Sequence, residues 1–200
     1  MVLNFTGFSS LKYQFHISEA ILLILSMLLG IFSCLRLNEV TKLCAGQCML
    51  FAKLYERARI LQGSSPGWCY LPACLHLAAG LCSLVVLSFV RGGRYRSQSN
   101  CSRVLGLISV SAFLAFLSSW IISSGFREFC KSFVINRCSA EHFSSMDWKN
   151  FTPKYCYCSN SYRLLQKIEG SSWCACLLLS VLCVTHFVRL WAGLQITSTP

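Results

Sequence analysis

The chain has 200 residues, of which 54% are hydrophobic and only 12% charged, with a mean hydropathy of +0.55. A soluble domain carries about 25% charged residues, so half the usual polar coat is missing and the composition argues against a water-soluble globule. The net charge of +11 does not imply nucleic-acid binding, because the lysines and arginines are spread over every polar segment without a basic helix or an aromatic RNA-binding motif; cations flanking apolar spans suit the anionic headgroups of membrane lipids.

About 20 apolar residues cross the roughly 30 Å hydrocarbon core of a bilayer, and four segments meet that length. The first span, residues 17–37, is built on AILLILSMLLGIFSCL. Its leading segment carries Lys12 and no clean small-x-small cleavage site follows, so it reads as an uncleaved signal anchor. A polar loop over 38–67 follows, holding Cys44 and Cys48, with room for short β strands around GQCMLF. The second span covers 68–90 and contains His76 and Pro72, the latter near the helix start where a proline is tolerated. A short loop over 91–103, RGGRYRSQSNCSR, holds Arg91, Arg94, Arg96 and Arg103 and no acid. The third span, 104–126, has no ionisable side chain, and the fourth, 170–190, ends in HFVRLW, with Arg189 placed to snorkel and Trp191 to anchor. Between them lies a long loop, 127–169.

Orientation follows from the short loop. The positive-inside rule weighs short loops beside membrane ends, which puts 91–103 in the cytosol together with both termini and puts 38–67 and 127–169 outside. Asn150-Phe151-Thr152 in the long loop is then an N-glycosylation candidate. Cys101, beside the third span, is a candidate for S-palmitoylation.

The long loop holds Cys130, Cys138, Cys156, Cys158 and His142. A small exposed loop cannot bury enough core to order itself, so disulfide bracing is one reading. Structural zinc with His142 is a second, although C-x7-C-x3-H and C-x-C depart from the close cysteine pairs of zinc modules. A cysteine nucleophile is a third and requires a base that the sequence does not place. The spacing and the compartment favour disulfides. Cys34, Cys74, Cys82, Cys174, Cys176 and Cys183 lie in apolar runs, where thiols act as small hydrophobes.

No Asp, Glu, Lys or Arg stands in the interior of a span, the feature expected of a pump or an ion pathway. His76 and His186 therefore read as packed or hydrogen-bonded residues. Ser111, Ala115 and Ser119 fall four apart and form a small-residue stripe, as do Ala79 and Ser83 on the second span; such a stripe serves packing within the bundle or association of two copies.

Several islands carry a family resemblance. GQC at Gly46 to Cys48, WCY opening the second span, FC and RCSAE in the long loop, and EGSSW leading into the last span together resemble the transmembrane protein 179 family, closest to its B-type branch. The resemblance points to Cys48, Cys69, Cys130 and Cys138 as shared outer cysteines and disulfide candidates, to a tryptophan-proline patch at Trp148 and Pro153, and to Trp173 at the start of the last helix. Cys44, Cys156 and Cys158 stand outside that pattern. The family implies a multi-pass membrane protein with no defined molecular activity.

The expectation is an all-α, four-helix transmembrane bundle with disulfide-braced outer loops and short β strands in the first of them. Functionally it is a non-enzymatic tetraspan, without catalytic site, cofactor or metal, that organises or contacts other membrane proteins; the alternative is an accessory subunit of a channel or transporter. Its partners are membrane lipids, other membrane proteins and a second copy through Ser111, Ala115 and Ser119, in the plasma membrane or an endomembrane.

Overall fold

The computed structural model describes residues 6–55, 60–91, 98–135 and 161–198. Its elements run α1 (Thr6–Leu43), β1 (Cys48–Tyr55), β2 (Ile60–Ser64), α2 (Gly67–Arg91), α3 (Gln98–Ile135) and α4 (Ser161–Ser198). Cys138, His142, Trp148, Asn150, Pro153, Cys156 and Cys158 lie outside the described residues.

Among the described residues four helices are long and apolar enough to cross a membrane: Ile17–Leu43, Gly67–Phe89, Cys101–Ser132 and Tyr162–Trp191. In hydrocarbon every backbone amide must be satisfied within the segment, which a continuous helix does. The apolar runs therefore become helices, and Ser26, Ser33, Ser83, Ser119 and Ser180 satisfy their hydroxyls by donating to carbonyls three or four residues back. The helices form a ring in which each packs on its chain neighbour and α4 closes onto α1. Outward faces carry Ile21, Leu28, Leu81, Phe113, Leu177 and Val184, all exposed, as a lipid-facing coat.

Three helices are longer than a span requires. At 1.5 Å per residue the 38 residues of α1, α3 and α4 reach about 57 Å, well beyond the hydrocarbon thickness, whereas α2 has 25 residues. The loop boundaries read from hydropathy move accordingly: α3 begins at Gln98, so Cys101 and Arg103 stand in a helix, and α3 and α4 take in much of the polar sequence assigned to the long loop. Pro72 is the sixth residue of α2, one turn deeper than a first-turn proline, and its carbonyl accepts from Ser118 Oγ at 2.8 Å.

The hairpin β1–β2 fills the space that the short α2 leaves. It is antiparallel, pairing Cys48 with Ser64 and Tyr55 with Ile60, with an irregularity between Cys48 and Lys53. Leu50, Met49 and Ala52 are buried in one core with Leu37, Ile122, Phe129 and Ile168. A second core around Leu23, Val86, Ile108 and Leu182 holds the opposite end together.

Candidate functional site

The hairpin end is where the sequence-derived cysteines can be placed. α1 stops because Ala45 and Gly46 turn left-handed, at φ 54° and 79°, and the Gly46 amide closes onto the Thr41 carbonyl at 2.9 Å. Two residues later Cys48 bonds to Cys69 at the start of α2, with Cα atoms 5.7 Å apart. This is the one disulfide with both cysteines among the described residues. Cys44 is disulfide-bonded as well, so a cysteine outside the family pattern belongs to the same braced region.

Cys130, offered as a disulfide candidate, is instead a free thiol, half-buried against the hairpin core. Its place on the last turns of α3 directs it into packing: it belongs to a helix rather than to the loop where a partner was sought.

The hairpin touches the bundle at backbone distance. A Cβ on Gly125 of α3 would stand 2.7 Å from Leu50 Cβ and 3.0 Å from the Phe51 ring, so only glycine allows β1 this close. Phe51 itself has φ 60°, a conformation that a bulky residue adopts only when its surroundings hold it there. Its ring packs on Trp68, with centroids 4.8 Å apart. Ser64 Oγ donates to the Leu50 carbonyl at 2.5 Å, and the Gly63 amide donates to Gln47 Oε1 at 3.0 Å. The hairpin is thus held by a disulfide, an aromatic contact, polar links and a close approach to α3.

Inside the bundle a polar band runs between the two apolar cores. Below the hairpin, Ser123 donates to Glu169 Oε1 at 2.6 Å and accepts from Trp173 Nε1 at 2.8 Å. Deeper, Ser172 Oγ lies 2.7 Å from both His76 Nε2 and Ser119 Oγ. Ser111 donates to the Ala79 carbonyl at 2.8 Å and stands 3.1 Å from Ser83.

These contacts decide the role of the small-residue stripe. Ser111, Ala115 and Ser119 are all 0% exposed. They face α2 and α4 of the same chain, so the stripe is unavailable to a second copy. Close packing and serine hydrogen bonds between helices use it internally.

At the opposite end the expectation of uncharged spans needs correction. Glu19, in the first turn of the apolar part of α1, is buried and ion-paired with Arg189 of α4. His186 Nε2 lies 3.6 Å from the same carboxylate oxygen, and its side chain is 1% exposed. Arg189 therefore turns inward to a carboxylate instead of reaching only for headgroups. The signal available in the sequence was the four-span topology, which returns the end of α4 beside the start of α1. Cys101 is a free, half-buried thiol at this end, near the start of α3.

Among the described residues no group of three or more His, Cys, Asp or Glu stands close enough to hold a metal ion. Comparison with known proteins gives one family match: the model for the transmembrane protein 179/179B claudin domain covers residues 15–197 and treats the 179 and 179B types together. No curated protein and no solved structure matches the chain.

Proposed function

The chain belongs to the transmembrane protein 179/179B claudin family, and from that premise we propose that this integral multi-pass membrane protein is a non-enzymatic tetraspan that organises or contacts other membrane proteins through the hairpin end of its bundle. The observation carrying this reading is the fixed seating of the hairpin, tied to α2 by Cys48–Cys69 and to α3 at Gly125. A surface already held in one conformation loses little entropy on binding.

In this reading the hairpin faces the extracellular or lumenal side, where disulfides persist, and Asn150 carries a glycan. Both termini and the basic segment with Arg91, Arg94 and Arg96 then face the cytosol, beside anionic lipid. Cys101 takes a juxtamembrane position suited to S-palmitoylation.

Crosslinking in intact cells followed by purification tests the reading. Wild type is expected to yield stable hetero-complexes that the double variant Cys48→Ala/Cys69→Ala loses while still reaching the membrane. An unchanged set of crosslinked proteins would refute a role for the hairpin end.

A second reading, an accessory subunit of a channel or transporter, draws support from the ionisable cluster of Glu19, His186 and Arg189, since intramembrane ionisable groups mark ion pathways. Solute or ion flux in liposomes that is lost in Glu19→Gln would favour it over the first.

A further inference from the structure

The geometry points to a single-water site in the middle of the bundle, between α1, α2 and α4, in which the water donates to Nδ1 of His76. The argument begins with hydrogen counting. His76 Nε2, Ser172 Oγ and Ser119 Oγ are linked in series at 2.7 Å each, and Ser119 Oγ lies 2.8 Å from the Ala115 carbonyl. That carbonyl can only accept. All three contacts are satisfied when Ser119 donates to it, Ser172 donates to Ser119, and His76 donates from Nε2 to Ser172. A neutral imidazole has one N–H, so Nδ1 is left as a bare acceptor.

Nδ1 points to the α1 side. A Cβ built on Gly30 would stand 3.6 Å from it. Gly30 and His76 both line a void of about 10 Å³ that Ser26, Gly80, Ser83 and Leu179 also border, which is room for one water molecule. His76 is only 4% exposed, and none of its hydrogen bonds involves Nδ1. Leaving such an acceptor without a donor inside an apolar bundle is costly.

The void supplies the rest of a water's coordination. The Ser26 hydroxyl donates to the Leu23 carbonyl and that of Ser83 to the Ala79 carbonyl, so both oxygens keep lone pairs for accepting. One water can then donate one hydrogen to Nδ1 and the other to a serine oxygen. A larger ligand does not fit, and an anion would meet acceptors only. The sequence hint is the pair of small residues Gly30 and Gly80 on facing helices, which leave the space that the water takes.

Solid-state NMR on protein labelled with 15N-histidine and reconstituted in lipid tests the site, with the His76 resonances assigned by sequential correlations. The expected result is a proton on Nε2, none on Nδ1, and magnetisation transfer from a slowly exchanging water to Nδ1. The variant Gly30→Ala adds a methyl group at ordinary contact distance and should fold; it is expected to abolish the water transfer while keeping the Nε2 proton. A proton on Nδ1, or no water transfer in folded wild type, would overturn the proposal. So would transfer that persists undiminished in Gly30→Ala.

Discussion

Glu19 and Arg189 are 170 positions apart and form an ion pair at the end of the bundle away from the hairpin. The pair joins α1 to α4, the one pair of neighbours in the ring that no chain connection joins directly. It closes the ring electrostatically where packing alone would have to do so, and His186 stands against the same carboxylate.

Removing the carboxylate alone should therefore be worse than removing both charges. Breaking a buried pair costs about 3–5 kcal/mol, because one charge is left without compensation. Arg189 is about one-third exposed, so its own desolvation is incomplete and the loss in Glu19→Ala should sit at or below the lower end of that range. A double-mutant cycle with Glu19→Gln and Arg189→Gln, read by thermal unfolding in detergent, should show coupling between the two sites. Strict additivity would mean that the pair contributes nothing.

The Cys48–Cys69 bond encloses a sequence separation of 21 residues. Loop closure of that order is worth about 3 kcal/mol in the chain-entropy model. Cys48→Ser/Cys69→Ser should accordingly lower unfolding resistance and expose the hairpin to protease. In wild type, maleimide should label neither cysteine before reduction. Labelling of both without reductant would contradict the bond.

Gly125 is the point where β1 meets α3. In Gly125→Ala the new methyl group would meet Leu50 Cβ at 2.7 Å, too close to the strand backbone for a rotamer change to relieve. Overpacking of this kind costs about 1–3 kcal/mol. The expected outcome is a lower Tm together with increased proteolysis in the hairpin. Gly106→Ala, where an added Cβ meets nothing within 4 Å, serves as the control and should be neutral or slightly stabilising.

The stripe on α3 gives a contrast within one helix. Ser111→Leu puts two extra heavy atoms against α2 and removes two buried hydrogen-bond contacts. Phe113→Leu, two residues away, alters a side chain that is mostly exposed on the lipid-facing side. Only the first should reduce stability in detergent, by an amount comparable to the Gly125 variant, and neither should change oligomeric state. A shift in oligomeric state with Ser111→Leu and unchanged stability would restore the stripe to an outward role.

The topology in the proposed function has its own check. Wild type should show a glycosidase-sensitive mobility shift that Asn150→Gln removes. If Asn150 and a second acceptor engineered into 136–160 both stay unmodified, that loop is cytosolic and the orientation is inverted.

Composition and the length of the apolar runs were enough to determine that this chain crosses a membrane four times, because hydrocarbon permits only one local solution for an uninterrupted apolar segment. The short strands expected around GQCMLF are present from Cys48 onward. Helix ends beyond the hydrocarbon were not legible from apolar length: α3 continues through Arg127, Glu128 and Lys131, where Phe126 and Phe129 pack one face on the hairpin core and Lys131 pairs with Glu128 on the exposed side. Nor could a linear chain show that Cys48 would meet Cys69 while Cys130 stayed a thiol, since the first depends on where β1 meets the start of α2 and the second on the continuation of α3 past Cys130. The meaning of Ser111, Ala115 and Ser119 was decided by the rotation of α3, which turns them toward α2 and α4. The pairing of Glu19 with Arg189 was decided by ring closure, which brings the first and last helices together at a common depth. A sequence records which groups are polar; only the packed bundle determines which polar groups can reach one another away from water.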